Sequence, residues 1–207
     1  MSSVFIGLEE DAIVEPPKEY THKKPIVFYG SSITQGGCAS HAGNCYTNML
    51  SRRFDADILN LGFSGSALGE TTMANYIANL NMGIFVYDYD HNAPDTAHLE
   101  KTHEKMFKTV REKQPHVPII MVSAADCLNG TIPERAEIIR TTYENAVKAG
   151  DTNVYFVDGS TIYASVGRDL CTVDGVHPND TGFYMMAQAI GNVIEQIYQK
   201  GDFHEYI

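Results

Sequence analysis

Five short apolar runs, with amphipathic stretches between them, limit how this chain can fold more than any other feature. They are Ile26-Val27-Phe28-Tyr29, Asp57-Ile58-Leu59-Asn60-Leu61, Gly83-Ile84-Phe85-Val86-Tyr87, Val117-Pro118-Ile119-Ile120-Met121-Val122 and Val154-Tyr155-Phe156-Val157. Each is rich in β-branched or aromatic residues, and a glycine closes the first two. Continuous apolar runs of this length suit strands buried on both faces. The intervening stretches carry apolar residues at a spacing near 3.6. Examples are Leu99, His103, Met106, Phe107 and Val110, then Ile139, Tyr143, Ala146 and Val147. The last stretch, with Phe183, Met186, Ala187, Ile190, Val193, Ile194 and Ile197, is the cleanest amphipathic helix. Residues 45–53 and 67–79 show the same spacing more weakly. Alternation of strand and helix predicts parallel βαβ units with right-handed crossovers. The expected fold is α/β, a three-layer α/β/α sandwich with about five parallel strands.

The chain has 207 residues, enough for one core and short for two. Residues 1–24 read as a separate N-terminal arm or linker, since Glu15-Pro16-Pro17-Lys18 is stiff and extended and Tyr20 to Lys24 is polar. The folded domain is expected over residues 25–207. A formal charge of −11 argues against nucleic acid and anionic membranes as partners, because both need a basic face. No apolar run approaches the roughly 20 residues of a membrane helix. The first residues lack the basic and apolar regions of a secretory signal, so the expected location is cytoplasmic, or periplasmic or secreted if the chain is a fragment. Four cysteines without a Cys-x-x-Cys pair are too few for a disulfide scaffold, and free thiols are expected at Cys38 and Cys45.

In a sheet of this kind, ligands bind outside the carboxyl ends of the strands. The segments that follow the apolar runs therefore hold the chemistry. They supply Ser32, Gly65 and Asn92, and further on Asp174-Gly175-Val176-His177. A serine hydroxyl needs a base to become a nucleophile. An unperturbed imidazole changes charge near neutrality, which makes a histidine at position 177 a suitable base. Asp174, three residues earlier, is close enough to hold the ring and stabilise its charged form. The Ser32 N–H, the Gly65 N–H and the Asn92 side-chain amide are the candidate oxyanion donors. Each residue also has a plainer reading: Ser32 as a helix N-cap, Gly65, Asn92 and Asp174 as turn residues, and His177 as a loop histidine. Asp88, Asp90, His91, Asp95 and His98 invite a metal, but polar residues leaving a strand more often form a solvated or hydrogen-bonded rim. No metal and no cofactor is expected. Tyr29, Phe63, Tyr87 and Tyr89 are aromatics available either to a substrate surface or to the core.

Taken in order, these segments resemble the blocks of the SGNH, or GDSL-type, hydrolases. Gly30-Ser31-Ser32-Ile33-Thr34 is similar to their first block, with Ser31 in place of the usual aspartate. Asn60-Leu61-Gly62-Phe63-Ser64-Gly65 is similar to the second. Asp90-His91-Asn92-Ala93 stands where Gly-x-Asn-Asp belongs, and Asp174-Gly175-Val176-His177 matches the last. The resemblance covers roughly residues 25 to 200. It implies a flavodoxin-like fold and metal-independent ester hydrolysis, with catalytic Ser32, Asp174 and His177 and an oxyanion hole of Ser32, Gly65 and Asn92. Residues 87–94 and 171–180 look most like a bacterial subgroup in which a β-sandwich precedes the hydrolase. That subgroup implies a small-molecule or glycan ester as substrate, with acetyl as the first acyl group to test.

Two other classes remain open at the level of sequence. Ser31 to Gly36 is a loop that a phosphate or flavin could occupy, as in a flavodoxin-like binding module. A catalytically inactive glycan-binding relative is the other. An α/β-hydrolase elbow is excluded because Gly-x-Ser-x-Gly is not satisfied: Thr34 stands two residues after Ser32.

Overall fold

The computed structural model describes residues 5–125 and 132–200. Cys127 and the last residues of the expected domain, 201–207, lie outside that range, as do residues 1–4.

All five apolar runs are strands. β1 (His22–Gly30) leads through the one-turn helix α1 (Ser32–Gln35) and helix α2 (Tyr46–Phe54) to β2 (Ala56–Gly62). Helix α3 (Thr71–Ala78) precedes β3 (Ile84–Asp88), and α4 (Thr96–Lys113) precedes β4 (Ile119–Val122). Helix α5 (Ile132–Lys148) precedes β5 (Val154–Val157), and α6 (Arg168–Cys171) and α7 (Asp180–Gln199) close the chain. The sheet is parallel throughout, in the order β2-β1-β3-β4-β5. After β1 the chain turns one way to β2 and then crosses back to β3 on the other side. The crevice at that reversal is where such sheets bind ligands, and it is flanked by the carboxyl ends of β1 and β3.

Burial along β1 explains why its run is unbroken rather than alternating. Ile26 and Phe28 point into one cluster with Leu50 of α2 and Phe183, Met186, Ile190, Ile194 and Ile197 of α7. Val27 and Tyr29 point into the other, with Ile77 of α3, Leu99, Met106 and Val110 of α4 and Ile139 of α5. Successive side chains of a strand face opposite ways, so a sheet covered on both sides needs apolar residues at every position. Each large side chain fully buried this way contributes about 1.5–3 kcal/mol. The α7 residues are the period-3.6 stripe visible in the sequence.

Two details depart from the expected pattern. β1 starts at His22, earlier than its apolar run, because Asp55 at the foot of β2 accepts from Thr21 N–H and Oγ at 3.1 and 2.6 Å and His22 pairs with Ala56. Residues 5–21 ahead of it are exposed. Tyr29, Tyr87 and Tyr89 are wholly buried, so of the four aromatics named above only Phe63 reaches the surface. Cys38 and Cys45 are free thiols. No helix among the described residues is long and apolar enough to cross a membrane.

Candidate active site

Ser32 opens α1 directly beyond β1. The capping role that a serine often plays at such a junction falls to its neighbour: Ser31 Oγ accepts from Ile33 N–H at 3.1 Å. That leaves the Ser32 hydroxyl free to point elsewhere. As the first helical residue, its own N–H has no acceptor in a preceding turn. The turn is held from below. Asn60 Nδ2 donates to the Thr34 carbonyl at 2.7 Å and to Thr47 Oγ1 at 3.1 Å, and Gly36 ends the helix in the left-handed region.

Ser32 Oγ lies 2.9 Å from His177 Nε2, and His177 Nδ1 lies 2.7 Å from Asp174 Oδ2. Asp174 also accepts, through Oδ1, from the backbone N–H of His177 at 2.7 Å and of Val176 at 2.9 Å. The backbone bond from His177, then its ring, then the Val176 N–H hold the Asp174 carboxyl down at about 2. At neutral pH it is therefore an acceptor only, so Nδ1 carries the ring proton. Nε2 is then the acceptor that faces the serine hydroxyl. The turn is pinned at its base by a Thr172–Pro178 bridge, by Val173 N–H to the His177 carbonyl and by Asn179 N–H to the Cys171 carbonyl, both at 2.9 Å. Asn179 then caps α7 by accepting from Gly182 N–H.

Gly65 and Asn92 lie on the loops that follow β2 and β3. Phe63 joins them to the nucleophile: its N–H donates to the Gly30 carbonyl at 2.8 Å, and its own carbonyl accepts from Asn92 Nδ2 at 2.8 Å. An amide nitrogen has two hydrogens, so one remains for a ligand. Gly65 sits at an exposed apex with φ +67°, a conformation that side chains resist. The Asn92 segment is braced from behind. Asp90 accepts from Ala124 N–H at 2.9 Å, and Arg135 donates to the carbonyls of Asp90 and Ala93, the latter at 2.8 Å. Between them, His91 is kept neutral chiefly by burial.

The acids and histidines that invite a metal have other duties. Asp88 is enclosed beneath Thr34 and Tyr46, Asp95 caps α4, and His98 bonds the Leu68 carbonyl at 2.8 Å. Asp88 and Asp90 are both buried and hydrogen-bonded, so of the two forms of rim expected, solvated or hydrogen-bonded, the second is found. Among the described residues no cluster of three or more His, Cys, Asp or Glu is arranged to hold a metal. A phosphate cradle at Ser31 to Gly36 also fits poorly, because its amides close the helix: Ile33 N–H goes to Ser31 Oγ, Gln35 N–H to the Ser31 carbonyl and Gly36 N–H to the Ile33 carbonyl. A depression of about 580 Å³ between α4 and α5, lined by Phe107, Arg111 and Asp151, opens at the opposite end of the sheet from Ser32.

The model of the GDSL-like lipase/acylhydrolase family matches residues 23–195. The chain belongs to this family. A putative GDSL-like lipase from Bacteroides ovatus is 30% identical with a TM-score of 0.78, over 86% of this chain and 54% of that one. A salicylyl-acyltransferase, SsfX3, from a tetracycline biosynthetic pathway is 20% identical with a TM-score of 0.73, over 86% and 56%. A family two carbohydrate esterase from Clostridium thermocellum, solved with cellohexaose, is 16% identical with a TM-score of 0.72, over 90% and 67%. The chain thus spans little more than half the length of the first two of these structures. No curated protein matches it.

Proposed function

We propose that this member of the GDSL-like family is a serine esterase that removes short acyl groups, acetyl first, from small-molecule or carbohydrate alcohols. The observation that carries the reading is the unbroken relay from Ser32 Oγ through His177 to Asp174, with both links under 3 Å. As Ser32 Oγ attacks the ester carbonyl, His177 Nε2 takes its proton, and ionised Asp174 steadies the imidazolium. The Ser32 and Gly65 N–H groups and Asn92 Nδ2 receive the developing oxyanion, one such donor being worth about 3–4 kcal/mol. Collapse of the intermediate expels the alcohol, which leaves with the proton from His177. Water then attacks the acyl-serine, gives its proton to the same nitrogen, and the acid departs as Ser32 regains its hydrogen.

The carbohydrate as alcohol rests on the fold shared with an esterase solved with an oligosaccharide. The short acyl group rests on a site set on exposed turns: the side chains of His177 and Asp174 are 32% and 49% exposed. The test is hydrolysis of p-nitrophenyl acetate, butyrate and octanoate by the wild type and Ser32→Ala, followed by acetylated sugars. Fastest turnover of the acetate, lost in the variant, is the expected result. Equal rates for the two proteins would remove Ser32 from the reaction.

A further inference from the structure

Asp88, the last residue of β3, is buried with its carboxyl against the underside of the nucleophile turn. Thr34 Oγ1 donates to Oδ1, and Tyr46 OH donates to Oδ2 at 3.0 Å while lying 3.3 Å from Thr34 Oγ1. On β1, the residue in register with Asp88 is Gly30. A Cβ there would sit 1.9 Å from Asp88 Oδ1 and 2.1 Å from Thr34 Oγ1, so the strand is stripped to backbone to admit the carboxyl. A buried carboxyl is commonly less stabilising than an apolar group of the same size, so its presence calls for a role other than packing. Its position supplies one. Thr34 is two residues beyond Ser32 in the same helical turn, and Asn92 is four residues beyond Asp88.

We propose that Asp88 is a positioning residue: clamped by Thr34 and Tyr46, it locks the turn that carries Ser32 against the end of β3 that carries Asn92. It thereby sets the serine oxygen relative to the oxyanion donors. The inference rests on the acyl-transfer reading above and extends it to a residue that touches no substrate. Misplacement of reacting groups by about 1 Å costs on the order of 10²-fold in rate.

The groups that face this carboxyl are Thr34 from α1, Tyr46 from α2, the Cys45 thiol just ahead of that helix, and Asp90 from its own segment. No cation is among them. Burial, opposed by the Thr34 and Tyr46 hydroxyls and reinforced by Asp90, lifts the Asp88 carboxyl to about 7. Ionised, it accepts from both hydroxyls; protonated, one of its oxygens becomes a donor and a hydroxyl must turn. Asparagine copies the protonated form.

The experiment measures the rate at which a fluorophosphonate labels Ser32, together with kcat and KM for p-nitrophenyl acetate, from pH 5 to 9. Asp88→Asn should slow labelling and kcat about 10- to 100-fold, with KM within about threefold, and should not recover at high pH. Thr34→Val and Tyr46→Phe should follow it in direction, while Thr34→Ser, which keeps the hydroxyl, should stay near wild type. If Asp88→Asn does not fold, those three variants carry the test, each with its melting curve. Because Asp88 is argued to act through the alignment with Asn92, the losses should not add. Asp88→Asn with Asn92→Ala should be at most about threefold slower than Asn92→Ala alone. Rates within twofold of wild type, a change confined to KM, or fully additive losses would overturn the inference. Labelling or turnover that survives in Ser32→Ala would instead overturn the esterase reading.

Discussion

The two limbs of the candidate site are built in opposite ways. The nucleophile limb is anchored in the sheet: Ser31, Thr34, Tyr46 and Asp88 are buried, and Asn60 reaches in from β2 to hold α1. The base limb stands on an exposed turn between α6 and α7, flanked by Val173 and Val176, which are 57% and 45% exposed. It owes its shape to bonds within residues 171–179. The first limb has long-range partners on three elements, the second mostly local ones. Packing substitutions around the Ser32 turn should therefore disturb fold and rate together, and those near His177 chiefly the rate, with a smaller loss of stability.

The largest effect tests what the limbs share. Ser32→Ala should lower kcat by roughly 10⁴- to 10⁶-fold with the melting curve unchanged, because the capping bond belongs to Ser31. Next comes a matched pair of glycines. Gly30→Ala would drive a methyl into Asp88 and Thr34 and should cost upwards of about 3 kcal/mol in urea unfolding, or prevent folding. Gly175→Ala meets nothing within 4 Å and faces only its φ of +84°, so about 1–2 kcal/mol is expected, with the fold kept and kcat reduced. Equal destabilisation by the two would break the contrast. Asn92→Ala should reduce kcat about 10²- to 10³-fold with KM little changed. A shift in KM alone would make Asn92 a binding residue.

A last contrast is in the pH dependence of stability, where the two carboxyls have opposite signs. Asp88 in the folded chain titrates near 7, above its ordinary 3.8, so the folded state holds the extra proton between those values and stability falls as pH rises through that window. Asp174 is held at about 2, so its contribution is present above 3.8 and is lost as pH falls below that. Buried His103, held neutral near 3 by desolvation, adds a loss as pH falls from 6.5. Urea midpoints from pH 4 to 8 should show Asp88→Asn gaining about 2–4 kcal/mol on the wild type as pH rises. A constant difference would mean that the carboxyl does not titrate in this range.

Much of the scaffold was legible because its signals are local. Buried parallel strands show as unbroken apolar runs, and α7 as a stripe of seven apolar residues. The relay residues could be named because Asp174 and His177 are neighbours on one turn and Ser32 follows directly on a strand. What escaped was decided by contacts distant in sequence. Nothing near Asp88 in the chain announces Tyr46, 42 residues away, so the sequence leaves a strand-end aspartate as a solvated or hydrogen-bonded rim without naming its partner. Tyr29, Tyr87 and Tyr89 looked equally fit for a substrate surface. Only the packing of α3 and α4 over that face settles them in the core, where Tyr29 OH meets Glu70 at 2.9 Å and Tyr89 OH meets Thr102 at 2.9 Å. Ser31 rather than Ser32 as the cap was a choice between adjacent identical residues, and backbone geometry alone makes it.

The parallel sheet also gives the molecule a front and a back. Its chain enters β1 at His22, and nine residues of strand, roughly 30 Å, separate that point from the rim bearing Ser32. The exposed arm at residues 5–21 therefore joins at the back. A resin, a fluorophore or a fused protein attached through that arm would hold the molecule by its heel, with the reactive serine facing away from the support.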